Sequence, residues 1–501
     1  MVFWRVKPLD KILETAEKKS LKRQLGPVQL TLLGIGAVIG TGIFVLTAEA
    51  GQKAGPGMML AFVIAAVVCG LAALAYAEIA SMIPVSGSAY TYSYGVFGEF
   101  VAWIVGWALG LEYGIGAATV CVGWAGYMNG LLDNAAIYFG FIQPGMTLLP
   151  ASLRDGIPSG GMFNLLAFLI ALAVTWLLVI GTSKSARVNA VLVAIKIAAL
   201  TAFIILAVPA VKTTNFEPFM PTGWYGSGGV GVLGAAASIF FAYVGFDAVS
   251  TAAEETKNPN RNIPIGLIGA LGVCTIFYLL VGYGAAGSVG TQPMFGADGR
   301  VLEPGSPEMM AACAGSQALV CSKEPLAHVL QLIGFSSIGN LIRIAAGLAL
   351  PSVILMMMFG QTRIFFTMSR DGLLPDILSK VHPRYHTPHV ITLLTGATVA
   401  LFSSQLPVGK LADTSNSGTL LAFAMVSIGV LVLRKKQPDR PRPFRAPMAW
   451  IICPLAAIGC VTLFCFLSPF AQKFFLAWTA IGLVVYWLYS YKRSQLAQSS
   501  D

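Results

Sequence analysis

Residues 34–44 read GIGAVIGTGIF and lie inside an apolar segment long enough to cross a membrane. Four glycines in this stretch disfavour a continuous helix, because glycine is among the weakest helix formers. An interrupted helix in lipid leaves backbone N–H and C=O groups unpaired, which is tolerated where they face a cavity or a ligand. Close helix packing through small residues is the alternative interpretation, and this stretch alone fits both.

A second stretch of this kind, residues 238–247, reads SIFFAYVGFD and places a glycine and an aspartate inside another apolar segment. Each stretch belongs to the first of five consecutive apolar segments. Interrupted helices at corresponding positions in two halves of a chain indicate a transporter binding site. Because five is odd, the two halves are expected to have opposite orientations in the membrane.

The composition supports a membrane protein. The chain has 501 residues, of which 56% are AVILMFWYC and only 11% DEKR, with a mean hydropathy of +0.75. Soluble domains carry about 25% charged residues, so an ordinary globular enzyme is excluded, and a chain this apolar is not disordered. Since a spanning helix needs about 20 apolar residues, the length predicts about twelve helices. The expected spans are 28–51, 58–82, 100–130, 162–181, 188–210, 229–253, 264–289, 337–368, 388–406, 413–433, 446–467 and 474–491.

The predicted fold is therefore an all-α polytopic membrane protein with twelve transmembrane helices, in a five-plus-five inverted repeat followed by two extra helices. The predicted domain organisation is a tail at 1–27, a first repeat at 28–210, a second inverted repeat at 229–433, helices 11 and 12 at 446–491, and a tail at 492–501. Most Lys and Arg residues fall on one side when the N-terminus is placed inside, which predicts cytoplasmic termini and a plasma membrane location. This arrangement explains the net charge of +10 without a nucleic-acid partner.

The eight cysteines contain no CxxC pair and no metal-ligand spacing. Six fall within predicted spans, whereas Cys313 and Cys321 lie in the long outer loop between spans 7 and 8, where a disulfide between them is left open. No clustered nucleophile or metal site is evident, so neither an enzyme nor a cofactor is expected.

Six stretches resemble a known family: 34–44 above, YAEIASMIPVSGSAYTYSYGVFGE (76–99), WALGLEYG (107–114), SARVNAVLVAIK (185–196), FFAYVGFDAVSTAAEETKNPNRNIP (240–264) and GQTRIFFTMSRDGLLP (360–375). From about residue 25 to 435 the chain resembles amino acid–polyamine–organocation transporters, and among them the cationic amino acid transporter branch. The resemblance implies the LeuT-like inverted repeat, an amino acid bound between helices 1 and 6, and cotransport with protons. It does not imply a cationic substrate, because bacterial members of this branch include carriers of small neutral amino acids.

An amino acid zwitterion needs donors for its carboxylate and acceptors for its ammonium. The half-helix that begins near Thr41 offers free N–H groups and a positive dipole end to the carboxylate, and glycines on both sides let the backbone approach. Carbonyls at the two breaks would meet the ammonium, and Phe241 is the expected lid, although it also fits an ordinary packed ring. The predicted substrate-binding residues are Val38, Ile39, Gly40, Thr41, Gly42, Phe240, Phe241, Ala242 and Val244.

Three ionisable residues are the proton-coupling candidates. Lys196 lies about 14 Å along span 5, near the middle of a membrane core of about 30 Å, where a lysine is costly and releases its proton more readily than in water. The family resemblance implies that a lysine here replaces the sodium ion of sodium-coupled relatives; a paired structural lysine is the alternative. Glu112 is expected to be a second proton site, a partner for Lys196 or a contact for a cationic side chain. Asp247 is expected to be a proton site or a cap of the second half of helix 6.

The leading functional hypothesis is a proton-coupled L-amino acid symporter working by alternating access. The alternatives are a cationic amino acid permease or exchanger, a channel, and a transport-dead amino acid sensor. A methionine among Met356, Met357 and Met358 on span 8 is expected at the pocket edge or in simple packing. The pocket-edge position would favour small neutral over cationic side chains. Protons and the lipid bilayer are the expected partners, and no prediction is made for an accessory subunit.

Overall fold

The structure is a computed structural model that describes residues 6–9, 25–85, 87–143, 145–181, 186–226, 228–252 and 256–494. Most of the predicted N-terminal tail and all but three residues of the predicted C-terminal tail lie outside these ranges. Within them the fold is entirely helical, and β-pairing is limited to three isolated bridges.

Nineteen α-helices follow one another along the described residues, and we number them in chain order. They are α1 (Pro27–Val38), α2 (Thr41–Phe44), α3 (Leu46–Ala54), α4 (Met58–Met82), α5 (Ser88–Val96), α6 (Glu99–Tyr138), α7 (Leu165–Ile180), α8 (Ala186–Ala207), α9 (Gly231–Ile239), α10 (Ala248–Thr251), α11 (Pro259–Val289), α12 (Pro307–Ala312), α13 (Pro325–Leu332), α14 (Ser336–Arg370), α15 (His389–Gln405), α16 (Val408–Lys436), α17 (Ala449–Cys465), α18 (Pro469–Val485) and α19 (Tyr491–Arg493). Short 3₁₀ segments lie at Gly55–Gly57, Ala151–Leu153, Ile157–Ser159, Val208–Ala210, Thr213–Phe216, Phe240–Tyr243, Leu319–Cys321 and Asp376–Ser379, and a π-helical turn spans Tyr486–Ser490.

Every predicted span contains helix, as the apolar sequence requires in a solvent that cannot satisfy backbone groups. Seven helical stretches of the described residues are long and apolar enough to cross a membrane, and shorter apolar helices lie in four of the other predicted spans. The count of twelve spans, the inverted orientation of the halves and the domain limits stay predictions. Some limits differ: α6 continues to Tyr138, and α16 begins at Val408, five residues before the predicted span.

Small residues let the central helices pack closely. A Cβ atom added to Gly418 of α16 would lie 2.4 Å from the carbonyl oxygen of Ala108 of α6. On α6 itself, a Cβ at Gly110 would lie 2.2 Å from the Phe365 ring of α14. Neither glycine has a positive φ, so each is needed because a side chain at its position would collide with the neighbouring helix. The close contact of α6, α14 and α16 builds a rigid frame next to the interrupted helices.

Cys313 and Cys321 form a disulfide, with Cα atoms 5.4 Å apart, in the loop between α11 and α14. The sequence left this pairing open. Disulfides persist in oxidising compartments, so the bond agrees with the predicted outer position of this loop. The other six cysteines are free, and only Cys465 among them is exposed.

Candidate transport site

The first predicted break, within residues 34–44, is present and short. Helix α1 ends at Val38, Ile39 and Gly40 are extended (φ −71°, ψ 94° and φ −141°, ψ −152°), and α2 begins at Thr41. Thr41 and Gly42 are therefore helical rather than unwound. The first N–H groups of a helix have no partner within it, so the turn that starts at Thr41 presents donors at the break.

The second break is also present. After α9 ends at Ile239, residues Phe240–Tyr243 form a 3₁₀ turn and Val244 is extended (φ −63°, ψ 140°), before α10 begins at Ala248. Gly245 has φ +111°, which side-chain-bearing residues rarely adopt. A Cβ atom there would also lie 3.0 Å from the carbonyl oxygen of Ala37 on α1. The glycine thus serves both the turn and the contact with the first break.

The two breaks cross each other in direct contact. A Cβ atom added to Gly42 would lie 2.2 Å from the Cα atom of Ala242, a distance that no side chain tolerates. All nine residues predicted to bind substrate are buried. The structure brings both stretches to one crossing. A Cβ atom added to Gly40 would face Val353 of α14, and the Thr41 side chain lies against Gly123 of α6.

Polar groups at the crossing differ in whether they are already paired. The Thr41 hydroxyl is buried and has no hydrogen-bond partner among the described residues, so it is available to a ligand. The Val38 carbonyl, predicted to meet the ammonium, accepts a hydrogen bond from the Tyr278 hydroxyl at 2.9 Å. Tyr278 is not among the residues predicted from the sequence. Asn416 is not among them either, and its amide nitrogen donates to the carbonyls of Ala237 at 2.7 Å and Ser238 at 3.1 Å.

Lys196 of α8 is buried, and its Nζ donates a 2.7 Å hydrogen bond to the carbonyl of Gly36, two residues before α1 ends. The lysine therefore contacts helix 1, as expected of a cation that replaces sodium. Of the three roles left open for Glu112, a hydrogen-bonded partner of Lys196 is not seen: both Glu112 carboxylate oxygens are buried without a hydrogen-bond partner in the described part of the chain. Lys196 on α8 donates to α1, whereas Glu112 lies on α6.

Asp247 faces α6, the helix that carries Glu112, rather than solvent. Its side chain is buried, accepts a 2.8 Å hydrogen bond from the Tyr113 hydroxyl of α6, and makes no capping bond to α10. The hydrogen bond that the structure shows for this carboxylate is thus to α6 rather than to the first turn of α10. Glu112 is the neighbour of Tyr113 in sequence and lies on the same helix. Two buried carboxylates thus lie on the α6 side of the crossing.

Met357 is the methionine of span 8 that reaches this region. A Cβ atom added to Gly116 of α6 would lie 3.0 Å from the Met357 Sδ and 3.1 Å from the Ser415 Oγ. Ser415 in turn donates a 2.8 Å hydrogen bond to the carbonyl of Glu112. Since Gly116 is one helical turn from Glu112, the thioether lies near the buried carboxylates, at the junction of α6, α14 and α16.

A buried ionic cluster lies on the predicted outer side of the crossing. Lys53 is 3.1 Å from Asp413 of α16 and 3.4 Å from Glu49, and Ser238 of α9 is hydrogen-bonded to both Lys53 and Asp413. Lys53 falls in the gap between the predicted spans 28–51 and 58–82, which suggests a loop residue, but α3 continues to Ala54 and buries its side chain. Removing one partner of a buried ion pair leaves an uncompensated charge. This cluster therefore holds α3 against α9 and α16.

Ion pairs also close the predicted inner side. Glu78 of α4 makes two hydrogen bonds to Arg434, at 2.9 and 2.6 Å. Lys7 lies 3.1 Å from Asp371, which also accepts a 2.8 Å hydrogen bond from the Tyr90 hydroxyl. On the predicted topology, these ion pairs and the Lys53 cluster lie on opposite sides of the crossing.

A cleft of ≈ 110 Å³ opens on the predicted outer side. It extends from Ala48 and Glu49 on α3, past Asn129 on α6, to the disulfide-bonded loop. The cleft reaches the ionic cluster, so it offers a route toward the crossing once that cluster separates.

Comparison with known proteins gives consistent matches across the chain. A family model described as "Amino acid permease" matches residues 25–487. "Branched-chain amino acid permease BcaP" of Bacillus subtilis (strain 168) is 44% identical over 497 residues, covering 99% of each chain. The "Methylthioribose transporter" of the same organism is 39% identical over 494 residues, covering 98% of this chain and 99% of the relative.

A plant protein extends the similarity beyond bacteria. "Cationic amino acid transporter 2, vacuolar" of Arabidopsis thaliana is 35% identical over 444 residues, covering 88% of this chain and 64% of that protein. The family match over nearly the whole chain, together with the apolar helices, identifies this chain as a multi-pass membrane protein of the amino acid permease family, within the amino acid–polyamine–organocation superfamily.

Proposed function

We propose that this protein is a secondary active transporter that carries L-amino acids together with protons by alternating access. The observation that carries the proposal is the crossing of two interrupted helices, where a buried Thr41 hydroxyl lacks a partner and Lys196 is hydrogen-bonded beside the break. The transporter is placed in the plasma membrane with both termini in the cytoplasm, as the distribution of Lys and Arg predicts.

Substrate recognition follows from the backbone groups at the crossing. The N–H groups of the turn beginning at Thr41 and the Thr41 hydroxyl bind the substrate carboxylate. Carbonyls of the extended residues at the two breaks, Ile39 and Val244, bind the ammonium. The Val38 carbonyl contributes less than the sequence suggested, since Tyr278 already donates to it. Phe241 stays the proposed lid over the bound amino acid.

Proton coupling is assigned to Lys196. When protonated, its ammonium donates a charge-assisted hydrogen bond to Gly36 and holds α1 in the geometry that binds substrate. When the proton leaves, the bond weakens and the crossing relaxes, which releases the substrate. Glu112, and Asp247 with its hydrogen bond from Tyr113, are the second candidates for holding or relaying the proton.

The side chain of the substrate is proposed to be aliphatic and neutral. Met357 narrows the region beside Gly116 and Ser415, and a thioether suits apolar ligands. The name of the relative at 44% identity refers to branched-chain amino acids. A cationic amino acid is the second candidate, because the Glu112 carboxylate is buried and accepts no hydrogen bond from a described residue. The two candidates differ in whether Glu112 contacts the substrate.

Competition for binding tests this recognition. We expect L-isoleucine to raise the thermal unfolding temperature of the purified protein, since a ligand that binds the folded state stabilises it. L-Isoleucinamide, which lacks the carboxylate, should give less than about a tenth of the affinity, because the N–H donors at the break would then lose their charged acceptor. Methylthioribose, which has neither a carboxylate nor an amino group, serves as the control for the relative at 39% identity.

The results separate the candidates. Equal binding of the amide and the acid would rule out recognition through the helix 1 break. Stabilisation by L-arginine but not by L-isoleucine or L-alanine would favour the cationic substrate, and Glu112→Gln should then abolish it. Binding of methylthioribose alone would remove the amino acid from the proposal.

A further inference from the structure

Two apolar grooves follow the surface of α11 and meet at Ile268. One, of ≈ 540 Å³, lies between the first turns of α11 and the loop before α17, where Pro264 and Phe444 line it. The other, of ≈ 560 Å³, continues between α4 and α11 as far as Leu279. Since both include Ile268, they form one continuous depression, which we call the α4–α11 groove.

The groove is open because small residues leave space that no side chain fills. A Cβ atom added to Gly272 would have no atom within 4 Å, and one added to Gly70 would meet only Leu271, at 3.9 Å. Val67 and Ile268 along its walls are 54% and 38% exposed. From Pro264 to Leu279 the helix rises about 22 Å at 1.5 Å per residue, more than the roughly 15 Å depth of one leaflet. An acyl chain therefore fits along it.

Cationic side chains collect at one end of the groove. Arg261 lines the groove and is exposed, and no ion pair joins it to any carboxylate of the described residues. Lys257 precedes α11, and Arg445 follows the groove residue Phe444; both are exposed. The guanidinium group matches the geometry of a phosphate, and basic pockets between transmembrane helices bind anionic headgroups. The charge thus lies where a headgroup would sit above a chain held in the groove.

We propose that the α4–α11 groove is a binding site for an anionic phospholipid, with an acyl chain between α4 and α11 and the phosphate at Arg261 and Arg445. The proposed site lies on the lipid-facing side of α11, and the opposite side of α11 packs on α1. A Cβ atom added to Gly34 of α1 would lie 2.6 Å from the Cβ atom of Ala270 on α11. The same helix carries Tyr278, the donor to Val38 at the break.

Native mass spectrometry of the full chain tests this site, using protein taken from nanodiscs of equal parts dioleoyl-phosphatidylglycerol and dioleoyl-phosphatidylcholine. We expect wild type to retain phosphatidylglycerol preferentially. Arg261→Gln should lower that preference about fivefold, and Arg261→Gln with Arg445→Gln about 25-fold. Arg384→Gln, which changes an exposed cation in a different loop, is the matched control and should leave the preference unchanged.

A second variant tests the acyl chain rather than the charge. Gly272→Leu places a side chain in open space within the groove, so it should reduce retention of both lipids while the protein stays monodisperse and keeps its unfolding temperature. Unchanged preference in the double arginine variant would overturn the proposal, as would full lipid retention by Gly272→Leu. An equal loss of preference in Arg384→Gln would show that net charge, not this groove, selects the lipid.

Discussion

Transport should fall by about 10- to 100-fold when Gly42 is replaced by alanine. The added Cβ would lie 2.2 Å from the Cα and 2.5 Å from the Cβ of Ala242, so the two broken helices would have to separate. Overpacking a buried contact costs about 1–3 kcal/mol, and each 1.4 kcal/mol corresponds to tenfold in an equilibrium. Because both breaks are proposed to bind the same substrate, the separation weakens binding directly. Uptake of radiolabelled L-isoleucine into proteoliposomes measures the effect.

Gly429→Ala is the matched control, since it adds the same methyl group to another buried helical glycine. Its Cβ would lie 3.4 Å from the Phe97 ring, which is ordinary contact. Uptake by this variant should stay close to wild type. If Gly42→Ala transports as well as Gly429→Ala at equal protein density, the crossing does not form the binding site.

Replacing Lys196 should abolish accumulation driven by a proton gradient. Lys196→Ala removes the donor to the Gly36 carbonyl, and with it the group proposed to carry the proton. Lys196→Arg restores a positive charge, yet it should fare no better, because arginine does not release its proton in proteins. Both variants should bring the ratio of internal to external L-isoleucine to about one, where wild type concentrates it.

Exchange of substrate across the membrane at equal pH separates coupling from folding. Lys196→Arg, which keeps a cation able to donate to Gly36, should still exchange labelled for unlabelled substrate, whereas a misfolded variant should not. Lys196→Ala that still concentrates substrate on a proton gradient would transfer the coupling to Glu112 or Asp247. Glu112→Gln and Asp247→Asn would then be the variants to compare.

The breaks were predictable from sequence because their causes are local. Glycine is a weak helix former, and among the glycines at 34, 36, 40 and 42 it is Gly40 that lies at the break. Gly245 adopts the positive φ that its residue type permits. The helical segments were also predictable from their apolar sequence, since lipid leaves no other way to pair the backbone N–H and C=O groups. Lys196 was identified by a similar rule: a lysine deep in an apolar segment needs a partner or a function.

The partners of the predicted residues were not predictable, because they come from distant parts of the chain. Lys53 near the end of an apolar window looks like a loop residue until Asp413, 360 residues later, is placed beside it. Tyr278 and Asn416 donate to backbone carbonyls, which leave no trace in side-chain patterns. The Asp247 side chain fits a cap or a contact with α6 equally well in sequence, and only the fold shows Tyr113 within hydrogen-bonding distance.

The central claim is proton-coupled transport of an amino acid, and sodium-free proteoliposomes test it most directly. With an inward proton gradient, wild type should accumulate L-isoleucine about tenfold for each pH unit if one proton accompanies each substrate, since one pH unit and a tenfold concentration ratio both equal about 1.4 kcal/mol. Uptake should saturate with substrate and collapse when a protonophore is added. Accumulation that requires sodium, flux that never saturates, or binding without any uptake would contradict the account.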